Sequence, residues 1–289
     1  MKMRKFLTFV LVFFVIGFAS AQDDLLNQLD AEKSDVKEIE TSAFKGLQIC
    51  NMQSTKLTAK GEWYMLVSHR FGDLTNGFDN FFGLDNALTK FGGIYGVSDW
   101  LSLGASRQTY HKTYELTAKY KLANQEISGF PVTIVGYNTM DINSELKKAA
   151  NPGVKFNHRL AYTTQLLISR KFSDSFSLEV TPVYLHKNLY EYGLEQKDQF
   201  FIGSGARYKV AKRMSVNLEY AARVGTPEGF TSSYHNPLTL GLDIETGGHV
   251  FQLVLSNSQP MNDVAVYSNT MGDWNGGSIY FGFNMYRVF

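Results

Sequence analysis

The chain has 289 residues, with 28 basic and 27 acidic side chains and 22 Phe and 16 Tyr against six Pro; its mean hydropathy is −0.18. A balanced charge without basic clusters excludes a nucleic-acid partner, and so polar an average excludes a bundle of transmembrane helices. The single cysteine, Cys50, excludes an internal disulfide. With no metal-binding or nucleophilic residues grouped near it, it reads as a spectator thiol.

In chain order the first element is an export signal. Lys2, Arg4 and Lys5 precede an apolar run from Phe6 to Phe18, and Ala19-Ser20-Ala21 supplies small residues for cleavage before Gln22. The run is too short to span a membrane as a helix, and no later stretch reaches the roughly 18 apolar residues one needs. No Cys stands at the cleavage point, as a lipoprotein would require. Cleavage after Ala21 removes three of the 28 bases, leaving 25 against 27 acids and a net charge of −2.

Residues 22–45 read as an acidic periplasmic extension. Gln22 to Glu40 holds seven acids and two lysines, a net −5, with Leu25, Leu29, Val36 and Ile39 roughly on one helical face. Such a segment is either a solvated, disordered tail or a short helix that tucks into the following domain as a plug.

After Lys56 the hydrophobic period becomes two. Met214, Val216, Leu218 and Tyr220 alternate with Ser215, Asn217, Glu219 and Ala221, and Leu238, Leu240 and Leu242 alternate with Thr239, Gly241 and Asp243. Segments of this kind have one apolar and one wet face. Comparable runs fall near 57–71, 88–97, 100–110, 112–122, 131–141, 157–172, 176–187, 198–210, 214–224, 237–245, 249–259 and 278–289. About twelve strands result, an even number, which puts both chain ends on one side of a membrane barrel. Short polar turns at 98–99, 173–175, 211–213 and 246–248 fall on that side, and long connections at 72–87, 142–156, 188–197, 225–236 and 260–277 fall outside. The segment 123–130 and the hairpin at 110–112 break this asymmetry. The fold expected for 46–289 is therefore an antiparallel transmembrane β-barrel, since a closed barrel satisfies every backbone group within lipid.

The last strand is the clearest. Ile279, Phe281, Phe283, Met285 and Phe289 share one parity, broken only by Arg287, and the chain stops on Phe289. Such a strand resembles the closing strand of bacterial outer-membrane barrels, whose terminal aromatic is read by the barrel-assembly machinery. The resemblance makes Phe289 the expected assembly signal.

A wider resemblance rests on Ser68-His69-Arg70-Phe71-Gly72, Phe82-Gly83-Leu84-Asp85-Asn86-Ala87, Tyr95-Gly96-Val97-Ser98-Asp99-Trp100-Leu101 and Lys119-Tyr120-Lys121-Leu122. Gly248-His249-Val250-Phe251-Gln252-Leu253, Asn257-Ser258 and Phe281-Gly282-Phe283-Asn284 complete it. In this order and spacing, over roughly residues 44–289, the pieces are similar to a family of Bacteroidetes outer-membrane β-barrels known as domain of unknown function 5777. The resemblance implies the outer membrane of a Gram-negative bacterium. It brings no activity, substrate or cofactor.

Strand parity points Arg70, Arg159, Lys187 and Arg223 into the lumen near the outer mouth, with Glu115 as the only strand acid close by. Nearer the periplasm, Lys119, Lys121, Lys171, Arg207 and Lys209 face Glu179, Asp243 and Glu245, and Glu219 shares their parity. Rows of one sign raise the local concentration of the opposite ion. The expected role is thus structural or that of a narrow small-solute channel preferring anions, with lipid, the assembly machinery, small solutes or periplasmic proteins as partners. The competing reading is a lumen closed by its own paired side chains, because a barrel of about twelve strands is intermediate in bore. A scaffold for periplasmic or surface proteins is the alternative role.

A lipid hydrolase is the enzymatic alternative, and the sequence argues against it. Ser68 and His69 fall on opposite faces, His235 lies in a loop, His249 opens a strand beside Gly247-Gly248, and no Gly-x-Ser-x-Gly occurs. Asp73, Asp79 and Asp85 in the 72–87 loop lack calcium-loop spacing and read as turn formers. No cofactor or metal is expected. Phe71, Phe78, Phe81 and Phe82, with Trp100, Tyr110 and Trp274, read as girdle residues at strand ends.

Overall fold

The computed structural model describes residues 38–147, 149–226, 232, 234–247 and 249–289. The export signal, its cleavage site and the acidic stretch 22–37 lie outside the described residues. Residues 38–39 and 126–130 belong to a small unit of their own, in which Ile39 bridges Glu126.

The remaining chain builds twelve antiparallel strands. These are β1 (Trp63–Asp73), β2 (Leu88–Ser98), β3 (Leu101–Gln108), β4 (Tyr114–Ala123), β5 (Thr133–Ile142) and β6 (Leu160–Lys171), then β7 (Phe176–Lys187), β8 (Asp198–Ala211), β9 (Met214–Val224), β10 (Leu238–Thr246), β11 (His249–Ser256) and β12 (Tyr280–Val288). Each pairs with its neighbours in sequence, and β12 closes on β1. The seam extends one residue past β12, where the Phe289 N–H donates to the Trp63 carbonyl at 2.8 Å and the Trp63 N–H returns a bond at 3.2 Å.

Alternation explains the closure. On β9, Met214, Val216, Leu218 and Tyr220 are exposed while Ser215, Asn217, Glu219 and Ala221 are buried. The apolar parity thus faces out and the mostly polar parity faces in, which suits a sheet with lipid outside. Aromatic stacks line the outer face at the seam, with Phe71 on Phe281 and both His69 and Phe251 on Phe283.

Two expectations fail, and both failures fill the lumen. The first wall strand begins at Trp63, not 57, and residues 46–62 are not wall. Instead Ala43 to Thr55, apart from exposed Lys45, is buried within the barrel, with a tight turn in which the Ile49 N–H donates to the Met52 carbonyl at 2.8 Å and the Ser54 N–H to the Leu47 carbonyl at 3.1 Å. The 260–277 connection is likewise not wholly an outside loop. Its first half turns inward and forms helix α1 (Asp263–Ser268), all six residues of which are buried. Met261, Val264, Val266 and Tyr267 give this stretch an apolar content that an exposed loop would leave in water.

Candidate functional site

The site is the lumen and what occupies it. The 47–54 hairpin crosses the bore and takes its hydrogen bonds from side chains of the wall. Glu219 on β9 accepts the backbone N–H groups of Cys50, Asn51 and Met52 at 2.8–3.0 Å. Lys119 on β4 donates from the opposite side to the carbonyls of Leu47, Ser54 and Lys56 at 2.9, 3.0 and 3.4 Å. The carboxylate holds the donors of the turn and the ammonium holds its acceptors. Buried backbone groups need such partners, and each one left unmet costs about 1–3 kcal/mol.

Further wall contacts surround this clamp. Arg70 donates to the Asn51 side-chain oxygen at 2.8 Å, Gln252 to the Ile49 carbonyl at 2.8 Å, and Asn284 to the Cys50 carbonyl at 2.7 Å. Glu179 on β7 accepts from the Thr55 N–H at 3.0 Å, and the Tyr286 hydroxyl bonds the Gln48 side chain. The hairpin also presses directly on wall backbone where the inward residue is glycine. A Cβ at Gly203, Gly205 or Gly241 would lie within 2.3 Å of Met52, Ile49 or Cys50 respectively.

The inward loop fills the other end. Lys90 donates to the Met261 carbonyl at 3.1 Å, Gln165 to the Asp263 carboxylate at 2.8 Å and Lys187 to the Asn269 side chain at 2.9 Å. Asn262 bonds both Gln108 and Asp141. Gln53 of the hairpin donates to Asp263 at 3.2 Å, so the two obstructions meet inside the barrel. Above α1 lies a vestibule of about 250 Å³, lined by Tyr110, Arg159, Lys187, Tyr234 and Val264 among others.

The residues expected in the lumen take distinct places. Arg70, Glu115, Lys119, Lys187, Arg207, Glu219 and Asp243 face inward and are buried. Three of them are neutralised by ion pairs: Glu115 with Lys90 at 2.9 Å, Lys187 with Glu195 at 2.7 Å and Arg207 with Glu245 at 3.1 Å. Asp243 accepts from Asn217 and Gln252, both at 2.7 Å. Arg223 lies over the Phe201 ring at 5.1 Å. Arg159 is not on a strand: it ends the short 3₁₀ stretch before β6 and donates to the Asn143 carbonyl at 2.8 Å. The near absence of acids expected at the outer mouth also fails, because Asp141 on β5 and Asp263 lie close to the Lys90–Glu115 pair. Ser68 is buried in the lumen while His69 bonds Thr89 on the outer face, so the two are separated as parity requires.

Not every inward side chain is polar. Met52, Val183, Leu185, Phe201, Ala221, Val264 and Tyr267 form one apolar cluster, and Val135, Tyr137 and Leu167 form another. The polar clamp and ion pairs therefore share the lumen with an apolar flank on β5 to β9.

A twelve-strand barrel closed β12 to β1, with a polar inner parity, matches the family model described as "Membrane bound beta barrel domain (DUF5777)" over residues 44–289. The chain belongs to this family. The matched span begins just before the hairpin and includes it, so the obstruction and the wall fall under one domain. Among solved structures, the KdgM porin is similar in fold, with 10% identity and a TM-score of 0.50, covering 78% of this chain and 99% of that one. The NanC porin is similar at 8% identity and the same TM-score, covering 78% and 98%. At these identities the likeness is one of fold. No curated protein matches the chain in sequence.

Sequence reasoning passed over Lys90, Asp141, Asn51, Gln165 and Gln252, which hold the obstruction in place. Lys90 and Asp141 stand at polar positions of runs that were recognised as strands. The inward glycines were a usable signal too, because glycine in a strand interior marks a close backbone approach.

Proposed function

We propose that this protein is a gated narrow channel of the outer membrane, seen with its gate closed. The observation that carries this reading is the Glu219–Lys119 clamp. The bore is filled by a tethered hairpin hydrogen-bonded to wall side chains, so withdrawal of the hairpin leaves a polar lining behind. A wall meant only as a rigid staple needs no such separable element. The ion pairs remove the basis for a strong anion preference, and small polar solutes of either sign are the expected cargo. In proteoliposomes the intact chain should pass arabinose slowly, and the double variant Glu219→Leu, Lys119→Met should pass it much faster. Equal, negligible swelling by both would leave a structural barrel.

With this reading goes an envelope of outer-membrane lipid and a barrel-assembly machinery that reads Phe289. Deleting Phe289 also removes two seam hydrogen bonds to Trp63. The deletion is expected to lower the amount of heat-modifiable, assembled barrel in outer-membrane fractions, and unchanged amounts would remove that role from the residue.

A further inference from the structure

Pro182 stands in the middle of β7, where a closed barrel offers no edge strand to hide it. Proline brings no N–H and is confined in ordinary sheets to edges, strand starts and bulges. The ladder to β6 shows the consequence. Pairing runs from Ala161↔Lys187 to Gln165↔Val183, lapses, and resumes at Ile168↔Val180, so Leu166 and Leu167 have no strand partner opposite Pro182 and Thr181. On the other side β7 stays in unbroken register with β8. The β6–β7 ladder therefore carries a local seam at mid-strand, with its register kept on both sides.

The membrane face of the wall at this seam is apolar, and the lumen face is apolar in part, with buried Gln165 and Thr181 beside it. The membrane face has a recess of about 510 Å³ lined by Tyr120, Gly136, Leu166, Pro182, Phe200 and Ile202. The Tyr120 ring lies across Gly136, where a Cβ would meet it at 2.2 Å. Behind the seam, in a lumen otherwise rich in charge, Leu167, Val183, Leu185 and Phe201 are fully buried. Val183, Leu185 and Phe201 are covered from inside by Met52 of the hairpin and Tyr267 of α1, residues of the two elements that fill the bore, while Leu167 packs with Val135, Tyr137 and Leu57.

We propose that the Pro182 seam is a lateral portal through which an elongated apolar molecule, of acyl-chain cross-section, passes between the lumen and the membrane. The recess opens onto the lipid-facing surface, so its occupant comes from the bilayer. The inner apolar flank continues the same chemistry once Met52 and Tyr267 yield. A water-filled pore alone needs neither the break nor the apolar flank. The portal rests on the gated-lumen reading, since the molecule can enter only where the hairpin gives way.

The test is photolabelling of the full chain in phosphatidylcholine–phosphatidylglycerol vesicles containing a diazirine-bearing dodecanoic acid, with adducts mapped by mass spectrometry. Adducts are expected on lumen residues Val183, Phe201, Met52 or Tyr267, and more of them in the Glu219→Leu, Lys119→Met variant. Pro182→Val supplies the missing backbone N–H and keeps an apolar side chain on the outward face. It should lower lumen adducts roughly fivefold, the population ratio that one regained hydrogen bond represents, while adducts on outward Leu218 and Leu240 stay constant and report an intact barrel. If Pro182→Val fails to assemble, Pro182→Thr supplies the same N–H. Adducts confined to outward residues, or lumen adducts unchanged by either substitution, overturn the portal. Arabinose swelling of the clamp variant is independent of Pro182, so loss of the portal and loss of the channel reading give different results.

Discussion

Arginine in place of Leu218 or Leu240 is expected to lower the stability of the barrel by about 2–4 kcal/mol, the cost of a lipid-facing base near the bilayer midplane. The two residues are cross-strand partners in mid-strand, both about two-fifths exposed on the outer face. Urea titration in vesicles measures the effect. The inward neighbours behave differently from what a water-filled lumen would suggest. Asn217 donates to the Ile49 carbonyl and to Asp243, so Asn217→Arg has no empty space to enter. It should act by displacing the hairpin and exposing Cys50, whereas Leu218→Arg should leave Cys50 covered. A negligible cost for Leu218→Arg would mean that the outer parity does not face lipid.

The second large effect concerns Cys50, which is 1% exposed and the only thiol of the chain. Burial pushes its thiol well above the ordinary range, and the Glu219 carboxylate adds to that effect. In the intact protein, maleimide labelling should stay slow even as pH rises through the usual thiol value of about 8.5. Glu219→Leu leaves three backbone donors of the hairpin without an acceptor, at about 1–3 kcal/mol each. Labelling of this variant is expected to rise at least roughly tenfold, the factor that ~1.4 kcal/mol represents. It should then follow pH as a free thiol does, increasing through about pH 8.5. Slow labelling of Glu219→Leu at pH 9 would show that the carboxylate does not hold the hairpin.

What the sequence revealed and what it hid follow from one physical rule. A strand with lipid on one side and a polar lumen on the other writes a period of two. The runs at 176–187 and 214–224 are accordingly the strands observed, and the other ends move by a few residues. Lys45 to Thr58 mixes Leu, Ile, Cys and Met with Gln, Asn, Ser and Thr in no period. Its surroundings come from wall strands far apart in sequence, from Arg70 on β1 to Asn284 on β12, that meet only in three dimensions. No run of charge marks the hairpin either, because it is held by neutral backbone groups meeting Glu219 and Lys119. Arg159 shows the limit of parity at a strand end, where one 3₁₀ turn takes the side chain off the wall. Pro182 was visible within a strand run, but its meaning depends on the lapse in pairing with β6, which one strand alone cannot disclose.

The channel reading turns on whether the hairpin must leave the lumen for current to flow, and Gly241 offers a way to hold it there. A Cβ at Gly241 would stand 3.7 Å from the Cβ of Cys50, against the ~3.8 Å typical of a disulfide. Gly241→Cys should therefore bond to Cys50 and lock the hairpin to β10 under oxidising conditions. The decisive measurement is single-channel conductance of this variant in a planar bilayer, recorded oxidised and then after reduction on the same membrane. The account predicts silence while the disulfide is intact and channel openings once it is reduced. Openings of equal size and frequency in both states would contradict it.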